Sequence, residues 1–142
     1  MLARRTALLA LSAGLVVVPT MARAATLDEQ VREAYAAWDA AFSKGDPKAI
    51  SEFYTEDAIF LPPTHDVIKG PAGVEKFFAG LFSAGVKGHK LELIDANGTP
   101  DLIVATAKWS AQGKDGPVGG IATHEFRRQT NDGLKLRLHT FN

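Results

Sequence analysis

The stretch from Trp38 to Pro63, WDAAFSKGDPKAISEFYTEDAIFLPP, constrains the fold more than any other part of the chain. Gly45 stops one helix, and Asp46-Pro47 starts the next: the carboxylate caps free backbone N–H groups and proline has no N–H to lose at the first helical position. Ile50, Phe53 and Tyr54 make the apolar face of this short second helix, Ala58 to Leu61 reads as a strand, and Pro62-Pro63 ends it. Two amphipathic helices that run straight into a strand need a sheet to cover their apolar faces, which predicts an α+β domain.

The flanking segments agree. Thr26-Leu27-Asp28-Glu29 has the form of a capping box, and Leu27, Val31, Tyr35, Trp38 and Phe42 then recur at helical spacing, so the first helix runs to about Lys44. Gly70-Pro71 opens a third helix with Val74, Phe77, Phe78, Leu81 and Phe82 on one face. After Gly88 the period is two. Ile103, Ala105, Ala107 and Trp109 alternate with Val104, Thr106, Lys108 and Ser110, so the first set faces the helices. For the last hairpin, a two-residue loop at Asn131-Asp132-Gly133 would mix leucines with Glu125 and Arg127. A three-residue loop with Gly133 left-handed pairs His124 with Thr140, Phe126 with Leu138 and Arg128 with Leu136. This register separates apolar from charged residues, and it turns His124 inward while His139 faces out, opposite Glu125.

The N-terminus is read as an export signal. Met1 to Arg5 is basic, the thirteen residues Thr6 to Val18 are apolar or small, and Ala22-Arg23-Ala24 is a peptidase site, giving a signal over 1–24 and a mature domain over 25–142. Thirteen residues fall short of the roughly 20 that span a bilayer, which argues against a retained anchor. Arg4-Arg5 followed by Thr6 also resembles a twin-arginine signal. The expected location is periplasmic or secreted. Losing three arginines and no acid takes the balance from 16 basic and 16 acidic residues to 13 and 16, a net charge of about −3. That mild acidity argues against nucleic acid or an anionic membrane as partner. The absence of cysteine excludes disulfides, thiol catalysis and thiolate metal sites.

With AAFSKGD and FYTEDAIF in place, the chain resembles the SnoaL-like, ketosteroid-isomerase-like branch of the nuclear transport factor 2-like superfamily, and DGLKLRLHTFN is similar to the end of its SgcJ/EcaC subset. The resemblance implies three N-terminal helices on a cone-shaped, curved antiparallel sheet with an internal pocket, and a homodimer through the open sheet face. It does not transfer activity. The isomerase chemistry needs a carboxylate base after the first strand, a tyrosine on the first helix and a protonated aspartic acid on a late strand. The corresponding positions here hold Pro62, Trp38 and His124, so ketosteroid isomerisation is not expected.

The pocket residues expected from this reading are Trp38, Tyr54, Phe60, Phe78, Trp109 and His124, joined by Asn142. For the aromatics, core packing competes with ligand contact. For His124, a neutral core histidine bonded to Thr140 or a carbonyl competes with a general acid or base. His65 is expected in solvent, Asp39 at the cavity edge or in solvent, and His89, in a Gly-Lys-rich turn, carries no assignment. No spacing marks a metal site, a serine nucleophile, a phosphate loop or a dinucleotide fingerprint, so no cofactor or metal is expected. The functional expectation is a binding domain for a small hydrophobic molecule. The alternatives are a His124-dependent acid/base enzyme on an apolar carbonyl compound (an isomerase, cyclase or hydrolase) and an accessory homodimer with a filled core.

Overall fold

A computed structural model describes residues 22–142, so the expected signal over 1–24 falls, except for its last three residues, outside the described region. The first helix, α1 (Leu27–Ser43), begins with the capping box: Thr26 Oγ1 accepts from the Glu29 N–H and the Glu29 carboxylate accepts from the Thr26 N–H. Its buried stripe is Val31, Tyr35, Trp38, Ala41 and Phe42. Gly45, at φ 64°, turns the chain in the left-handed conformation that favours glycine. Asp46 caps α2 (Pro47–Ser51) by accepting from the Ala49 N–H.

The second helix is shorter than expected. Phe53 and Tyr54 have left it, and Tyr54 begins β1 (Tyr54–Leu61), four residues ahead of Ala58. A short β2 (Ile68–Lys69) precedes α3 (Gly70–Ser83), which buries Val74 and Phe78. Four strands complete the chain: β3 (Lys87–Gly98), β4 (Leu102–Gly113), β5 (Gly116–Arg128) and β6 (Leu134–Phe141). They form one six-stranded sheet in the order β2-β1-β6-β5-β4-β3.

The sheet is mixed rather than antiparallel throughout, because β6 returns beside β1 and runs parallel to it. The three helices cover one face, with α1 over β3, α3 against β1, and α2 against α3. Ile103, Ala105 and Ala107 of β4 are buried on that face while Val104, Lys108 and Ser110 are exposed, as the alternation requires. No helix among the described residues is long and apolar enough to cross a membrane.

The last hairpin corrects the expected register. Its loop does hold three residues, but it is slid back by one: the Gln129 N–H donates to the Gly133 carbonyl, and Asp132, not Gly133, takes the left-handed conformation at φ 64°. Phe126 therefore pairs with Leu136 and Arg128 with Leu134. A bulge at Arg137 then changes the parity, so that Glu125 pairs with Leu138 and His124 with His139. His139 and Phe141 turn inward, and Leu138 and Thr140 face out. The expectation that His139 lies outside, opposite Glu125, is overturned by that one extra residue.

Candidate ligand cavity

Between the helices and the concave sheet lies a cavity of about 330 Å³. α1 supplies Trp38 and Phe42 to its wall, α3 supplies Phe77 and Phe78, β3 His89, β4 Trp109, and β6 His139 and Phe141. It meets solvent where Pro63, Thr64 and Val118 are exposed. The small side chains Ala111 and Ala122 on the sheet leave the space that larger ones would fill.

Of the residues expected from sequence, Trp38, Phe78 and Trp109 stand on this wall. Tyr54, Phe60 and His124 are fully buried and are not among the lining residues. Asn142 sits outside the cavity, where its carbonyl accepts from the Trp109 indole N–H at 3.0 Å and its side-chain oxygen accepts from the Ile121 N–H. It steadies the wall without forming part of it.

At the inner wall of the cavity, which His139 reaches, two buried tyrosine–histidine pairs lie side by side. The Tyr35 hydroxyl is 2.8 Å from His124 Nδ1, the Tyr54 hydroxyl is 2.8 Å from His139 Nδ1, and the imidazole centroids are 4.4 Å apart. Burial drives the pairs toward neutrality. It pushes both phenols far above their ordinary range and lowers His124 to about 3, with repulsion from His89, when that ring too is protonated, adding to the effect. His139 is held well below its ordinary value by burial first and then by the other two histidines. Tyr35 was legible from sequence only as part of the α1 stripe; its role as the partner of His124 is set by folding. His124 also borders a separate void of about 10 Å³, at the limit of what one water could occupy.

Among the buried polar side chains of the described residues, the Trp38 indole is the exception to polar satisfaction. Its N–H approaches the Tyr54 hydroxyl closely enough to oppose that phenol's upward shift, but it falls short of hydrogen-bond geometry and is left buried without a partner. An unpaired buried donor costs about 1–3 kcal/mol.

The sequence reading missed His89 on the cavity wall and its pairing with Asp39, which was expected at the cavity edge or in solvent. His89 Nδ1 lies 2.8 Å from Asp39 Oδ1, and Asp39 Oδ2 accepts from the Leu91 N–H at 2.9 Å. The His89 ring is close to Trp38 (centroids 4.7 Å) and Phe42 (5.0 Å) and parallel to Trp109 within 9°. The available signal was the alternation in β3: counting back from Leu93 and Leu91 reaches His89. Its Gly-Lys-rich surroundings hid it. His65 is exposed in the loop after β1, at φ 66°.

Residues 31–136 match the profile of the SnoaL-like domain. No curated protein is significantly similar to the chain. Among solved structures, a ketosteroid isomerase-like protein from Erwinia carotovora atroseptica superposes with a TM-score of 0.68 at 15% identity, covering 79% of this chain and 92% of that one. An NTF2-like protein with a cystatin-like fold from Novosphingobium aromaticivorans gives 0.68 at 19% identity, covering 81% and 80%. An NTF-2 like protein of unknown function from Shewanella oneidensis gives 0.70 at 10% identity, covering 80% and 97%. At these identities the likeness is one of fold, and it agrees with three helices on an open curved sheet. Since the profile spans most of its length, the chain belongs to the SnoaL-like domain family.

Proposed function

We propose that this chain is an exported binding domain that holds a small hydrophobic molecule in its aromatic-walled cavity and works as a homodimer through the outer face of its sheet. One observation carries the binding reading: about 330 Å³ of space remains between Trp38, Phe78 and Trp109, inside the range of roughly 300–1,000 Å³ typical of ligand sites. A filled-core accessory domain would have closed it. A His124-dependent enzyme draws no support from the geometry, since that ring lies below the wall with Nδ1 occupied and burial holding it neutral.

The dimer reading draws on Val104 and Ile121, each 41% exposed on the sheet face that no helix among the described residues covers. Native mass spectrometry of the full chain, expressed with its leader and recovered from a Gram-negative periplasm, tests all three parts. A dimer of chains beginning at Ala25 and carrying extra small-molecule mass is the expected result. Uncleaved chains would sink the export reading, and monomers would sink the dimer. An empty protein that also binds none of a panel of small apolar compounds would sink the cavity reading.

A further inference from the structure

The wall of the cavity is apolar except at a few places, and one of these has the construction of a proton-accepting centre. Asp39 is fixed from both sides: one carboxylate oxygen is held by the Leu91 N–H and the other faces His89 Nδ1 at 2.8 Å. A carboxylate only accepts, so Nδ1 of His89 must carry the proton, and the lone pair is left on Nε2. No hydrogen bond to Nε2 exists among the described residues, and the ring lines the cavity.

The imidazole is enclosed by aromatic rings. Trp38, Phe42 and Trp109 pack around the imidazole, and aromatic rings attract a cation that stacks on them. The groups facing His89 from the packed elements are Asp39 with Trp38 and Phe42 on α1, Trp109 on β4, and the buried His139 and His124 of β6 and β5, both held neutral. Lys90 and Glu92, beside it on β3, are exposed and paired to each other.

We propose that His89, oriented by Asp39, is the proton acceptor of the cavity, and that its ligands are compact apolar molecules bearing an acidic hydroxyl, namely phenols or enols. On binding, the ligand O–H breaks as an N–H forms at His89 Nε2. The electron pair stays on the ligand oxygen, and the imidazolium charge is balanced by Asp39 through Nδ1–H. His89 touches the ligand; Asp39 is a positioning residue. The inference rests on the cavity reading and adds a ligand class to it.

The test uses 4-nitrophenol, whose visible band appears only on ionisation, beside 4-nitroanisole, which has the same shape and no acidic proton. Both are titrated into the mature protein at a pH where free nitrophenol is mostly neutral. Bound nitrophenol is expected to show the phenolate band. In Asp39→Asn the amide oxygen can keep the Leu91 bond while its NH₂ donates to Nδ1, which moves the ring proton to Nε2 and removes the acceptor. The ionised fraction should then fall about ten-fold or more, the scale on which outer partners of metal-bound histidines act, with 4-nitroanisole affinity unchanged. His89→Phe should abolish the band, with 4-nitroanisole titrated into the same variant to report whether the cavity still takes a molecule of that shape. Nitrophenol bound in neutral form by the wild-type protein, or a phenolate band that persists in both variants, would overturn the proposal. Failure of both compounds to bind the wild-type protein would overturn the cavity reading beneath it.

Discussion

His124 and His139 illustrate how burial changes what a histidine can do. In the unfolded chain each titrates near 6.5, whereas in the fold His124 is lowered to about 3 and His139 well below its ordinary value. The native state therefore refuses protons that the unfolded state accepts, and stability falls as pH drops below about 6.5, continuing toward the lowered native values. At pH 5 His124 should cost about 2 kcal/mol relative to pH 7, from 1.36 kcal/mol per unit over the roughly 1.5 units below 6.5, and His139 adds a loss of the same sign. Urea unfolding measured between pH 7 and pH 5 should show this decline. The double substitution Tyr35→Phe/His124→Phe, which removes one pair without orphaning a phenol, should shrink it. A decline of equal size in that variant would mean that other groups set the acid sensitivity.

At the level of elements, β6 is the strand whose local irregularity matters most. Without the bulge at Arg137, strict alternation would send His139 and Phe141 outward and Leu138 and Thr140 inward, and Tyr54 would lose its buried partner. Deleting Arg137 should therefore cost about 3 kcal/mol or more, the sum expected for an orphaned buried hydroxyl and an exposed aromatic ring. Arg137→Ala, which keeps the extra residue and removes only an exposed pair with Asp57, should leave stability close to that of the parent. Chemical denaturation of the two variants separates register from side chain. Equal losses in both would show that the guanidinium, not the inserted residue, holds the strand.

For the molecule as a whole, the cavity and the outer sheet face make separable predictions. Ala122 is fully buried and lines the cavity, so Ala122→Leu adds methylene groups to empty space and should raise stability by about 1 kcal/mol while weakening binding of 4-nitroanisole about ten-fold. Thermal unfolding and a binding titration check the two halves, and a drop in stability would mean that the space is not there to be filled. Val104→Lys with Ile121→Lys places charge on the uncovered sheet face. It should convert the proposed dimer to monomers in native mass spectrometry without lowering the unfolding midpoint of the monomer, and a dimer that persists in this variant would relocate the interface.

Features that depend on neighbours in sequence were legible from sequence alone. The capping box at Thr26, the helical stripes of α1 and α3, the break at Gly45 and the inward face of β4 follow from backbone hydrogen bonding and from periods of 3.6 and 2, which a short window of residues expresses. Even the length of the last hairpin loop was readable, and with it the inward direction of His124. What lay beyond reach was set by distant partners. The parallel pairing of β6 with β1, the bulge at Arg137, the Tyr35–His124 and Tyr54–His139 pairs and the meeting of Asp39 with His89 each join segments far apart in the chain, and a bulge leaves no periodic signature. The cavity belongs to the same class: composition shows that large aromatics and small alanines are present, but only their three-dimensional arrangement decides whether they close on one another or leave room for a ligand.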